Sequence, residues 1–268
     1  ERMRAKLNRT VVVESRSGAG GLVAINAMRQ LDADGSTLMM APNSAVSLLP
    51  LFRQTPWDLT RTFTPVAVLS VQPVVVVTSA ASALKSIKDL QALARSKPDQ
   101  VPYASSGQGS IQHLLGELFA QGLGINLLHI PYKGGGQAVN DVVAGQVTVA
   151  VLGAAAVLPH IKSGKLVALA VSTRQRSPML PDTPTLAESG AGDIDVPQWS
   201  ALFAVAGTPA PVVKRLQDEV MRIMQLPDVA ERLNKLDIKP VGNTSAEFGK
   251  IIAQEVELWT AVAKANNI

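Results

Sequence analysis

Apolar runs and amphipathic stripes alternate along the chain, and glycine, proline or serine marks each break between them. Met3 and Leu7 stand at helical spacing, so residues 1–7 read as the end of a helix. Residues 10–14 (TVVVE) read as a short strand, and residues 17–21 turn the chain into a helix with Leu22, Ile25, Met28 and Leu31 on one face. Asp34-Gly35 marks a turn before a buried strand at 37–41, and Ser44 then stands where a helix cap is expected. Residues 63–69 and 74–78 are two further strands, the second almost wholly apolar. An amphipathic helix over 84–94, with Ile87, Leu90 and Leu93 inward, ends at Lys97-Pro98-Asp99.

Beyond that turn the pattern repeats as two tandem units. A strand at 101–104 runs into the loop 105–110 (SSGQGS), and Leu114, Leu115, Leu118 and Phe119 form the stripe of a helix. A second strand, 127–132, meets Gly134, Gly135 and Gly136 ahead of a helical run at 138–143. Next come a strand at 147–152, a small-residue turn at Gly153, a helix ending near Gly164 and a strand at 166–172. A proline-rich link (Pro178, Pro181, Pro184) carries a short helix around Leu186, and 199–205 is a strand. Pro209 and Pro211 open a long helix with Val213, Leu216, Val220 and Ile223 on one side. The last helix, 245–265, aligns Phe248, Ile251, Ile252, Trp259 and Val262. Strands alternating with helices throughout predict an α/β architecture with mostly parallel sheets. Residues 1–99 with 196–268 are expected to form one domain and 100–195 a second, with a cleft between them.

A chain of 268 residues, 47% apolar and 17% charged, is long enough for two modest cores and is not of disordered composition. No apolar run is long enough to span a bilayer. A net charge of +4 with scattered Lys and Arg, and only 4% aromatic residues, gives nucleic-acid binding little support. Cysteine is absent, which removes disulfides, thiol nucleophiles and thiolate metal sites. The start, Glu1-Arg-Met-Arg, is charged, leaving any export segment outside the sequence.

The chemistry is in the loops. Each glycine loop sets unpaired N–H groups and the positive end of a helix dipole at the end of a strand, an anion site built without a dedicated cation. Neither loop matches a phosphate-cradling or dinucleotide fingerprint, so nucleotide binding is not indicated. In open α/β sheets ligands sit beyond the carboxyl ends of strands. This points to Asn43 and Ser44, to Ser106, Gly107, Gly109 and Ser110, to Tyr132, Lys133, Gly134 and Gly135, and to Gly153. His113, one helical turn after Ser110, is placed to face the cleft. Lys133 fits either an ionic contact to a carboxylate or a solvated loop edge, and Trp199 either a cleft wall or a core position. His113, His129 and His160 are too scattered for a metal motif, and no cofactor is indicated. Ser44 and Ser110 lack a nucleophile elbow or a positioned base and read as caps.

VVVESRSGAGG (11–21), YASSGQGSIQHLLGELF (103–119), HIPYKGGGQAVNDVVAGQV (129–147), LPHIKSGKLVALAVST (158–173), LPDTPTLAESG (180–190) and FAVAGTPAPVVKRL (203–216) occur in this order over nearly the whole chain. Together they resemble the tripartite tricarboxylate transporter substrate-binding proteins, or Bug-type receptors. The resemblance implies a type II periplasmic binding protein fold of two α/β domains closing like a hinged clamp. It implies a non-enzymatic, monomeric periplasmic receptor that delivers a small carboxylate to integral-membrane transporter subunits. In such relatives main-chain N–H groups and bound water hold the ligand carboxylate. Two departures stand out. The family's opening strand and Pro-Gly-Gly loop are missing ahead of VVVE, and Leu152-Gly153 stands where many relatives carry Asp. The second favours plain mono- or dicarboxylates over amino acids. A ligand-sensing domain of a regulator on the same fold is the alternative, although the sequence holds no DNA-binding helix-turn-helix.

Overall fold

Two β-sheets organise the computed structural model, which describes residues 3–4, 10–16, 21–49 and 62–266. In chain order the elements are α1 (Leu22–Met28), β1 (Leu38–Pro42), a π-helical segment (Ser44–Leu48), β2 (Phe63–Gln72), β3 (Val74–Ser79), α2 (Ile87–Ser96), β4 (Pro102–Ser105) and α3 (Ile111–Gly122). There follow β5 (Leu128–Pro131), α4 (Gly135–Val143), β6 (Val149–Gly153), α5 (Ala154–Lys162) and β7 (Leu166–Val171). The chain ends with β8 (Gln198–Val205), α6 (Ala210–Met224), α7 (Pro227–Asn234), β9 (Lys239–Pro240) and α8 (Ser245–Asn266).

The chain divides into two compact units, residues 1–71 with 199–233 and 239–268, and residues 72–198 with 234–238. The first holds a sheet in the order β1-β8-β2-β9, and the second a sheet in the order β5-β4-β6-β3-β7. The sequence reading put β3 and α2 with the first domain. In the structure β3 is hydrogen-bonded into the second sheet between β6 and β7, because Pro73 ends β2 and the next apolar run starts afresh. Every residue of β3 is buried, as expected for a run flanked on both edges.

The expectation of mostly parallel sheets is corrected. β1–β8, β2–β9, β3–β6 and β3–β7 are antiparallel, while β4–β5 and β4–β6 are parallel. An apolar run reports that a strand is central but carries no information on its direction, and β3 enters its sheet opposite to its neighbours. Residues 10–14, expected as a strand, are not in one: Val12 and Val13 are 83% and 92% exposed. The helix expected around Leu186 is a turn, where Glu188 N–H donates to Thr185 Oγ1 and Thr185 N–H to Glu188 Oε2. That reciprocal pairing satisfies a helix start without a helix following it. The helix read at 1–7, apart from residues 3–4, and the turn at 17–20 lie outside the described residues, as does the side chain of Val262. α7 and β9 were not anticipated.

The first core gathers Ile25, Met39, Trp199, Phe203 and Phe248, with Trp199 and Phe248 edge to face at 5.3 Å. The second lies under β3, β4 and β6 and takes in Val75, Ala104, Val139, Leu152 and Leu158. Among the described residues no helix is long and apolar enough to cross a membrane.

Candidate functional site

The second unit's sheet sets three helix starts in a row. β5, β4 and β6 are neighbours and run parallel, so α4, α3 and α5, which follow them directly, all begin at the same sheet edge. Adjacent strands lie about 4.8 Å apart, so the strand ends that lead into the three helices are neighbours.

The loop before α3 is held by its own polar groups. Gly107 N–H donates to Ser105 Oγ at 3.1 Å, and Ser110 N–H donates to Gly107 O at 3.2 Å. Gly107 has φ +137°, and a Cβ there would lie 3.0 Å from Tyr132 O in the neighbouring loop, so only glycine fits this approach. Ser110 caps α3 as its spacing suggested, its Oγ accepting His113 N–H at 3.2 Å. Ser106 Oγ donates to Gln112 Oε1 at 2.8 Å.

His113, expected to face a cleft, packs against the loop and the neighbouring strand. It is 7% exposed, accepts Gly109 N–H on Nδ1 at 3.3 Å, and stacks on His129 with ring centroids 3.9 Å apart. His129 Nε2 lies 2.7 Å from Ser105 Oγ. Burial, and then the neighbouring His113, lowers the His129 pKa to about 4; burial also lowers that of His113, against the pull of Glu117. Two neutral rings therefore support the loop from beneath. The Gly107 and Gly109 amides, expected to meet a ligand, are engaged within the loop itself.

The amides left over are those of the first helical turns. Ile111 and Gln112 have no intrahelical acceptor for their N–H groups, Ser110 having taken that of His113. α4 starts from Gly134 at φ +138° with no side-chain cap, which leaves the N–H groups of Gly135, Gly136 and Gln137 facing outward from the helix end. Tyr132, just before this loop, donates its hydroxyl to Asp141 Oδ2 at 2.6 Å; burial first, then Asp141, raises its pKa to about 12. Lys133 is exposed. At α5 the first amides are already met: Ala154 N–H donates to Pro73 O at 3.0 Å and Ala155 N–H to Gln72 Oε1 at 2.9 Å. Gly153 lies under two glutamines, since a Cβ on it would stand 2.6 Å from Gln198 Oε1 and 3.1 Å from Gln72 Nε2. Gln198 Oε1 in turn accepts Gln112 Nε2 at 3.0 Å.

In the first unit Asn43, and not Ser44, is the cap: its side chain accepts Ser44 N–H at 3.2 Å, and Ser44 begins the π-helical segment. Trp199 is 4% exposed and takes the core position, with Nε1 donating to Glu255 Oε1 at 2.7 Å. Ser47 Oγ donates to Glu255 Oε2 at 2.7 Å, and Asn43 Nδ2 reaches Oε1 at 3.5 Å. Burial raises the Glu255 pKa, partly offset by these three donors. Thus Asn43 and Trp199 meet in a buried carboxylate cluster, while Ser106, Gly134 and Gly135 belong to the row of helix starts.

Sequence reasoning missed Gln72, Gln112, Gln198 and Glu255. Glu255 had a signal: it stands seven residues after Phe248 and four before Trp259, on the apolar stripe of α8. Gln72 was marked by being polar between two apolar strands. Among the described residues no three His, Cys, Asp or Glu side chains gather as metal ligands would.

Known proteins resemble this chain over nearly its whole length. The family "Tripartite tricarboxylate transporter family receptor" matches residues 1–268. Protein BugT of Bordetella pertussis is 34% identical over 263 residues, covering 96% of this chain and 80% of BugT. Among solved structures, R. palustris Rpa4515 with adipate has a TM-score of 0.96 at 28% identity, covering 100% of this chain and 90% of that one. MatC from Rhodopseudomonas palustris with bound malate has a TM-score of 0.89 at 28% identity, covering 97% and 90%.

Proposed function

We propose that this chain, which belongs to the tripartite tricarboxylate transporter receptor family, captures a small carboxylate in the periplasm and presents it to the membrane-embedded subunits of such a transporter. The observation that carries the ligand class is the pair of helix starts at α3 and α4, on adjacent parallel strands, with unspent main-chain amides and no side-chain cap at Gly134. A carboxylate set there accepts from Ile111 and Gln112 on one side and from Gly135 and Gly136 on the other. Each donor is fixed by a helix, so little order is lost on binding, and the two dipoles favour the anion. The loop 105–112 carries no charged side chain, so attraction rests on oriented amides and not on an ion pair. The adipate and malate bound to the two structural neighbours support the same class. Receptors of this family are not enzymes, and the reading requires no bond to be made or broken.

Replacing Gly135 by proline tests this. Proline at the first helical position suits the backbone, and the extended ψ of 163° at Gly134 suits a residue before proline. One amide donor is lost while the helix remains. Titration calorimetry with adipate and malate is expected to show about tenfold weaker binding in Gly135→Pro than in the wild type, with the melting temperature maintained. Equal affinities in the two proteins would remove the α4 amides from the site.

A further inference from the structure

Three helices start at one edge of the second sheet, but the third start, that of α5, differs from the other two. Its second amide is not open; Ala155 N–H donates to Gln72 Oε1. A backbone N–H can only donate, so this bond fixes which end of the Gln72 amide is the oxygen. The nitrogen, Nε2, is then turned away from α5 as a donor. The polarity of the helix end passes through the amide, because accepting a bond at the oxygen makes the N–H groups better donors. Gln72 thus extends the positive end of α5 by one side chain.

Gln198 stands next to it. Its Oε1 accepts from Gln112, whose own Oε1 accepts from Ser106, so the chain of bonds runs from the first loop to Gln198 and leaves Gln198 Nε2 as a second donor. Both glutamines close over Gly153: the Oε1 of one and the Nε2 of the other lie within 3.1 Å of where its Cβ would be. Any side chain at 153 would displace them. Gln72, Gln112, Gln198 and Gly153 all belong to the second unit, and the two open donors are neutral.

Resting on the carboxylate reading above, we propose that Gln72, with Gln198 beside it, is the donor pole that selects the second carboxylate of a dicarboxylate ligand. The first carboxylate lies over β4 and β5, at the α3 and α4 starts. Gln72 stands at the start of α5, beyond β6, the next strand. Strand spacing sets the two poles roughly 7 Å apart. That is close to the separation of the carboxyl groups in an extended six-carbon dicarboxylic acid. Two amide nitrogens whose oxygens are already engaged offer hydrogen-bond donors and no charge. They suit an oxygen acceptor and offer an ammonium group no carboxylate to pair with.

The test uses Gln72→Glu. The new carboxylate keeps an oxygen for Ala155 N–H, so the start of α5 is retained, but the donor becomes an acceptor with negative charge. The read-out is the preference for adipate over hexanoate, measured by calorimetry on wild type, Gln72→Glu and Gln198→Glu. A ratio within one protein is insensitive to a general loss of affinity, and either variant suffices if the other does not fold. The expected result is a wild type that prefers the dicarboxylate and variants in which that preference falls about ten- to a hundredfold. Gln72→Met, which loses the donor without adding charge, is expected to fall between. Preferences equal to the wild type in both charged variants would overturn this inference alone, leaving the α3 and α4 site in place. A wild type that binds neither class would overturn the carboxylate reading and this inference with it.

Discussion

Glu255 accepts hydrogen bonds from Ser47, Trp199 and Asn43 within a unit whose core is otherwise apolar. Removing the carboxylate leaves the buried Trp199 indole N–H without its acceptor, and a stranded buried donor costs more than the bond itself contributed. Glu255→Ala is expected to lower stability by about 2–4 kcal/mol, and Glu255→Gln, which keeps one acceptor oxygen, by about 1 kcal/mol. Denaturant melts read by tryptophan emission check this; an alanine variant with wild-type stability would show that the cluster is inert. At this scale the sequence was partly legible. Ser110 was visible as a cap from its place ahead of a helical stripe. Asn43 and Ser44 are both good caps and adjacent, so spacing alone chose the wrong one. The stacking of His113 on His129, sixteen residues further on, could not be read, because no local pattern connects the two.

The element that matters most is the loop 105–110 with its histidine support. His113 Nδ1 and the Ser105–His129 contact both rely on neutral rings, and the groups facing the pair are Glu117 on α3 and Tyr103 on β4. His129 has a folded pKa near 4, below the 6.5 of a free histidine. Between those values the unfolded chain takes up a proton that the folded chain refuses. Stability from this pair is therefore complete above pH 6.5 and is lost as pH falls towards 4. With allowance for the partial exposure of His129, the loss is on the order of 1–2 kcal/mol. Glu255 acts in the opposite direction, since its raised pKa makes the folded state gain stability as that carboxyl protonates. Comparing wild type with His129→Gln cancels the Glu255 contribution: the melting temperature of the variant should depend less on pH between 6.5 and 4. An identical slope would show that the histidines do not titrate as argued. The loop–helix units themselves were readable, because glycine clusters between apolar runs mark strand ends and helix starts. What could not be read was which amides the loop consumes internally, since that follows from side chains arriving from α3 and β5.

Across the whole molecule, the order of motifs carried the family and the α/β class. The strand directions did not follow, because alternation of strands and helices predicts parallel neighbours and has no term for β3, which enters against the rest. The central claim concerns where the ligand's charge is met: at main-chain amides of two neighbouring helix starts. The most direct measurement is a titration of the 15N-labelled chain with adipate and malate, following individual backbone amides by NMR. A hydrogen bond to a carboxylate moves an amide proton downfield and slows its exchange. The account predicts the largest such changes at Ile111, Gln112, Gly135 and Gly136, with Gly107 and Gly109 much less affected. Saturable binding that leaves those four amides unmoved would contradict it.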